Sequence, residues 1–271
     1  MRSLLPLLLL LPACATPTHA PPCFERVQSW TLRSAALAEQ RRVFVYLPRG
    51  YDAPDARLPV LYMPDGGIGE DLPHVVDAVA AGELWGTMQP VIVVGIENTD
   101  RRRDLTGPTD VPKDREIAPR AGGAAAFRTF LRDELMPEVE RRYRTGGVTA
   151  LVGESLAGLF VVETFLEQPE LFDHCIAFSP SLWWNDAQLV ARAPELLGQR
   201  GEDAGTLYLT TANEPGIIAA TQRLVAALAA ADTDTSWWHY QPMPEQFHDT
   251  IYRASAPRAL RRTFPAPPRG R

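Results

Sequence analysis

The stretch Val148-Thr-Ala-Leu-Val-Gly-Glu-Ser-Leu-Ala-Gly-Leu-Phe-Val-Val-Glu-Thr-Phe-Leu166 decides how this chain is read. Val148–Val152 is a short β-branched and apolar run, as a buried strand requires, and Leu156–Leu166 continues with helical composition. Between them Gly153 and Ser155 approach the pattern G-x-S-x-G, in which a serine sits on a sharp strand-to-helix turn with its hydroxyl exposed. The match is imperfect: Ala157 stands two residues after the serine and the glycine arrives at Gly158. A small-residue bend would look the same locally, so the surrounding elements must decide.

On both sides of this stretch, β-rich runs alternate with helical ones. Strands are expected at Trp30–Arg33, Arg42–Leu47, Pro59–Met63, Val91–Ile96, Cys175–Phe178, Thr206–Thr210 and Ser236–Tyr240. Helices are expected at Asp71–Ala81, Ala124–Arg142, Ala187–Leu197, Ile217–Ala230 and Thr250–Thr263. Runs such as VIVVGI are apolar at every position, which fits strands covered on both faces. The alternation predicts an α/β fold with a mostly parallel sheet and helices on both faces, in which chemistry gathers beyond the C-terminal ends of the strands. Ser155 is placed there.

The chain has 271 residues, 45% of them hydrophobic, which is enough for one sizeable core. Its net charge of −6 argues against a nucleic-acid partner, since no broad basic surface is available to follow phosphates. The N-terminus, MRSLLPLLLLLPACATPTHAPPC, has one Arg, an apolar run and then small residues, the layout of an export signal. Residues 1–22 are therefore read as a signal with a Pro-rich tether, and 23–271 as the folded domain. Cleavage after Ala15 would release the protein. Lipidation of Cys14 would instead attach it to a membrane, in a bacterial envelope. Cys23 and Cys175 remain either a disulfide or two separate thiols. No C-x-x-C or His/Cys cluster suggests a metal.

A serine attacks only when a base removes its proton and donors meet the oxyanion. Of five histidines, His19 lies in the leader or tether, His74 and His174 are expected to be structural or superficial, and His239 lies inside the last strand. His248 stands in the loop EQFHDT between the last strand and the last helix, the slot for a base in the chain order Ser, acid, His. The acid should follow the strand Thr206–Thr210, where Glu214 is the first candidate; Asp232 and Asp234 are the alternatives, and a Ser–His pair without a strict acid stays open. Oxyanion donors are expected at the Leu156 N–H and in the glycine loop after Pro59–Met63, with Gly67 preferred to Gly66. Such chemistry needs no cofactor.

LPVLYMPDGG, VGIENTDRRRDLTGPT, FLRDELMPEVERRYRT, LVGESLAGLFVVETFLEQPELFDHCIAFSPSLWW and EQFHDTIYRASAPRALR together resemble the putative esterase family of α/β-hydrolases. That family takes in esterase D, mycolyltransferase-type antigens and trilactone-siderophore esterases. The resemblance runs from about Gln28 to Phe264, and PELFDHCIAFSPSLWW points to the siderophore-esterase-like branch. It implies an α/β-hydrolase fold, a nucleophile at Ser155, a base at His248 and a small-molecule ester as substrate. It also implies that one or more of the Arg101-Arg102-Arg103 run borders the site, with Arg102 and Arg103 taken as substrate-binding candidates. Trp183 and Trp184 are either walls for an acyl or aryl group or packed core residues. Acyl transfer to another alcohol, and binding without catalysis by a lipoprotein of the same fold, are the competing functions.

Overall fold

The computed structural model describes residues 24–231 and 236–267. The export signal, Cys14, Cys23 and the acid alternatives Asp232 and Asp234 lie outside the described residues. All eight expected strands form, as β1 (Val27–Ser34), β2 (Glu39–Tyr46), β3 (Leu58–Met63), β4 (Ile92–Ile96), β5 (Thr145–Glu154), β6 (His174–Phe178), β7 (Thr206–Thr211) and β8 (Trp238–Pro242). They make one sheet in the order β1-β2-β4-β3-β5-β6-β7-β8. β1 pairs antiparallel with β2 and β2 antiparallel with β4; every other pairing is parallel. The last strand starts two residues later than expected, because β8 takes its register from β7, Leu207 against Trp238 through Thr211 against Pro242.

β3 and β4 are buried at every position, whereas β1, at the edge, is mostly exposed or half-buried. One apolar layer packs Val60, Tyr62, Val94 and Leu151 of the sheet with Phe127, Phe130, Phe160 and Phe165. The opposite layer packs Leu61, Met63, Val93, Val152 and Ile176 with Val75, Val79, Ala256 and Leu260. Period-2 alternation thus sends successive residues of each strand into two separate cores. Cys175 belongs to the first layer as a free, buried thiol, with burial pushing it up to about 12.

The helices are α1 (Leu72–Leu84), α2 (Arg101–Asp104), α3 (Pro112–Ile117), α4 (Ala124–Phe130), α5 (Met136–Arg142), α6 (Leu156–Glu167), α7 (Trp184–Gly198), α8 (Pro215–Ala231) and α9 (Ile251–Thr263). Two irregularities in the helices have local causes. The single helix expected over Ala124–Arg142 is divided by a π-helical turn, Leu131–Leu135, just before Pro137, whose ring cannot donate the next helical hydrogen bond. In α7, Asn185, Asp186 and Ala187 hold φ of 51°, 51° and 57°, so regular helix begins only beyond them. Asp114 of α3 holds that bend, its Oδ2 accepting the Asn185 N–H at 2.7 Å.

β3 has β4 on one side and β5 on the other, so the winding direction reverses around it. A crevice opens at such a reversal, outside the carboxyl ends of the strands. The loops after β3, β4 and β5 meet there.

Candidate active site

Ser155 follows β5 directly and caps α6, with φ 60° and ψ −118°. That region is costly for a residue with a side chain, by about 1–3 kcal/mol, and persists only where the surroundings enforce it. Here β6 enforces it: the Ser155 N–H donates to the Phe178 carbonyl at 3.1 Å, and the Ser155 carbonyl accepts the Ser181 N–H at 3.0 Å. Close packing of strand on helix explains the glycine pattern. A Cβ on Gly153 would lie 2.6 Å from the Ala157 carbonyl carbon and 2.7 Å from its Cβ, and one on Gly158 would lie 3.0 Å from the Phe178 oxygen. The Ala157 methyl is therefore accommodated because Gly153 has none.

His248 Nε2 lies 3.0 Å from Ser155 Oγ, and its Nδ1 lies 2.8 Å from Glu214 Oε1. Of the candidates named from the sequence, the structure brings these three into one hydrogen-bonded row. Glu214 is itself held: the Ser179 hydroxyl donates to its Oε1 at 3.0 Å and accepts the Ala212 N–H at 3.2 Å. Ser179 has φ 40°. Nothing within FSPSLWW distinguishes this serine from Ser181; its partners, Glu214 and Ala212, lie more than 30 residues away. Ser181 also comes close, its Oγ 3.4 Å from that of Ser155. The other described histidines are engaged elsewhere. His74 stacks edge-on against Tyr252, and His174 pairs with Thr206 and packs on Phe264. His239 packs on Tyr208.

The oxyanion candidates are placed differently from one another. The Leu156 N–H heads α6, among the first four helix donors that lack an intrahelical acceptor, at the positive end of the helix dipole. The Gly67 N–H instead donates to Glu70 Oε2 at 2.7 Å, while Glu70 Oε1 accepts from the Asn98 side chain at 2.9 Å. Gly66 is pinned against β4: its N–H bonds the Ile96 carbonyl at 3.0 Å, and a Cβ on it would lie 2.3 Å from Gly95 Cα.

The arginine run is distributed otherwise than expected. Arg102 is exposed and donates to the Ile117 carbonyl at 2.6 Å, and Arg103 is committed to Glu39 at 2.7 Å and to Asp104 at 2.6 Å. Asp104 also pairs with the fully buried Arg41. Arg101 is the one that turns toward the glycine loop, gripping both carboxylate oxygens of Asp65 at 2.7 Å. A helix of one turn points each successive side chain in a new direction, and these distant partners choose among them. Trp184 is a core residue whose indole N–H bonds the Gly107 carbonyl at 3.1 Å; Trp183 is half-buried beside it.

Two carboxyls at this end of the sheet are displaced in their titration. Burial, opposed chiefly by His248, pushes Glu154 up to about 7, and burial with Asp65 pushes Asp71 up to about 6.

A serine at a strained strand–helix turn, paired with a histidine from the last loop, places the chain among the α/β-hydrolases. Comparison with known families makes the assignment specific: residues 34–248 match the family described as "Putative esterase", and the chain belongs to it. It is 36% identical to the ferri-bacillibactin esterase BesA of Bacillus subtilis over 147 residues, 49% of this chain and 50% of that one. It is 36% identical to the siderophore enterobactin esterase of Emericella nidulans over 118 residues, 38% of this chain and 39% of that one. The matched stretches thus span half or less of these relatives. Among solved structures, an IroE-like serine hydrolase from Shewanella oneidensis superposes with a TM-score of 0.76 at 27% identity, covering 88% of this chain and 80% of the other. The enterobactin esterase FES of Shigella flexneri, solved with enterobactin, shares the fold at 19% identity and a TM-score of 0.70, over 92% of this chain and 60% of that one.

Proposed function

We propose that the protein is a serine carboxylic-ester hydrolase working through an acyl-enzyme on Ser155. The observation that carries this is the row Glu214–His248–Ser155, with 2.8 and 3.0 Å between its members. Glu214 holds the imidazole with its N–H on Nδ1, leaving Nε2 to accept the Ser155 proton as Oγ attacks the ester carbonyl. The Leu156 N–H receives the developing oxyanion, and Gly67 joins it when Glu70 releases that N–H. The imidazolium then gives its proton to the leaving alkoxide. A water, deprotonated by Nε2, repeats the attack on the acyl group and frees the acid and Ser155.

Family membership and the named relatives favour a siderophore ester, a trilactone in particular; small acyl or aryl esters fit the sequence equally well. Of the arginines, Arg101 is the best placed to face such a ligand. We place the protein outside the cytoplasm, on the strength of the N-terminal sequence, as a periplasmic, lipid-anchored or secreted enzyme. The test is hydrolysis of p-nitrophenyl esters of graded chain length and of a ferric trilactone by wild type and Ser155→Ala. Equal rates in both would remove the nucleophile, and an uncleaved trilactone would remove the siderophore reading. Mass spectrometry of the mature N-terminus tests export, which an intact Met1 or a start at Arg2 would refute.

A further inference from the structure

Glu154, between Gly153 and the serine, is not needed for any step above, yet its Oε1 lies 3.5 Å from His248 Nε2. That oxygen is buried and has no hydrogen-bond partner, although the carboxyl is only 14% exposed. Leaving a buried acceptor unsatisfied is costly. The groups facing it from the packed elements are Asp65 and Asp71 from the loop before α1, Arg101 from α2, Tyr252 from α9 and His248. Arg101 is already engaged by Asp65. Two donors remain: the Tyr252 hydroxyl, buried and with no hydrogen-bond partner among the described residues, and the Nε2–H, which the neutral imidazole lacks and acquires when it takes the Ser155 proton.

We propose that Glu154 is a positioning residue for His248, its buried Oε1 engaging the Nε2–H that forms when Ser155 attacks. The proton moves from Oγ to Nε2, Oγ bonds the carbonyl carbon, and Glu154 accepts a hydrogen bond without taking the proton. The proton then leaves with the alcohol. The imidazolium is thus flanked by a carboxylate at each nitrogen, Glu214 on Nδ1 and Glu154 on Nε2. Because neutral His248 has no hydrogen on Nε2 to offer, the contact is stronger in the transition state than in the resting enzyme, and such an interaction raises kcat rather than tightening substrate binding. Glu154 titrates near pH 7, so the engagement switches on as the pH rises through that value.

The proposal rests on Ser155 as nucleophile, so the experiment includes Ser155→Ala. Profiles of kcat and KM against pH, from 5 to 9, would be measured with a neutral p-nitrophenyl ester for wild type, Glu154→Gln and Glu154→Leu, normalised by active-site titration with a fluorophosphonate. Wild type should show two ionisations in kcat, that of the base and a second near pH 7, and both variants should keep only the first. At pH 8 kcat should fall about tenfold in Glu154→Leu and less in Glu154→Gln, which keeps an acceptor oxygen, with KM unchanged within about twofold. Variants that lower only the titratable fraction of enzyme, with an unaltered profile, would assign Glu154 to folding and overturn the proposal. If neither variant folds, a wild-type kcat profile that fits a single ionisation between pH 5 and 9 overturns it equally. An active Ser155→Ala would instead bring down the underlying reading.

Discussion

Gly153→Ala tests whether the elbow is held by contact between strand and helix. The added methyl would lie 2.6 Å from the Ala157 carbonyl carbon and 2.7 Å from both its oxygen and its Cβ. Carbon atoms pack at about 3.5–4.0 Å, so the first turn of α6 must retreat by about 1 Å. Overpacking of this kind costs about 1–3 kcal/mol. The retreat carries Ser155 and the Leu156 N–H with it, and a displacement of about 1 Å at reacting groups can lower turnover about 100-fold. Guanidinium unfolding should show a lower midpoint at unchanged slope, and ester hydrolysis should fall by about two orders of magnitude. Adding Ala157→Gly should restore only part of the loss, since the Ala157 backbone carbon and oxygen are as close as its methyl. A Gly153→Ala protein with wild-type midpoint and turnover would refute the account of the elbow.

Three further substitutions probe the supports around it. Glu214→Gln keeps the Ser179 contact but removes the charge on Nδ1; kcat should drop by about 10²–10⁴ with little change in KM, and full turnover would send the search to Asp232 or Asp234. Asp104→Ala strips the fully buried Arg41 of its buried partner and should destabilise the fold by about 3 kcal/mol in denaturant titration. An unchanged midpoint would show that Glu39, 2.6 Å from Arg41, suffices alone. His74 is held by burial from its ordinary 6.5 down to about 4, so the unfolded chain takes up a proton before the native protein does. Its contribution is fully present above pH 6.5 and is lost as the pH falls toward 4. His74→Phe, which keeps the stack on Tyr252, should therefore reduce the acid destabilisation between pH 6.5 and 4 by about 1–2 kcal/mol. Parallel unfolding curves of wild type and variant across that window would count against this.

Strand positions were legible because strands covered on both faces must be apolar throughout, as PVLYM and VIVVGI are. The proximity of Ser155, His248 and Glu214 was legible for a different reason. In a parallel sheet, residues just beyond successive strand ends are gathered at one edge. What stayed hidden depends on partners far along the chain. Nothing in Arg101-Arg102-Arg103 distinguishes its members; Asp65, Ile117 and Glu39 sort them, 36, 15 and 64 residues away. Glu70 is only three residues from Gly67, yet its hold on that N–H follows from how a glycine loop happens to turn. The left-handed run at Asn185–Ala187 likewise depends on Asp114, 71 residues away.

Gly66 and Gly95 meet backbone to backbone: a Cβ on Gly95 would lie 2.2 Å from the Gly66 oxygen, as one on Gly66 would crowd Gly95. Neither position can gain a side chain first, and gaining both is worse than gaining one. Mutational drift has no stepwise route away from this pair, whereas exposed Arg102 is free to wander. Among descendants of this protein that keep the fold, the two columns should remain glycine together, and a lineage that loses one should be found reshaping the loop between β3 and α1.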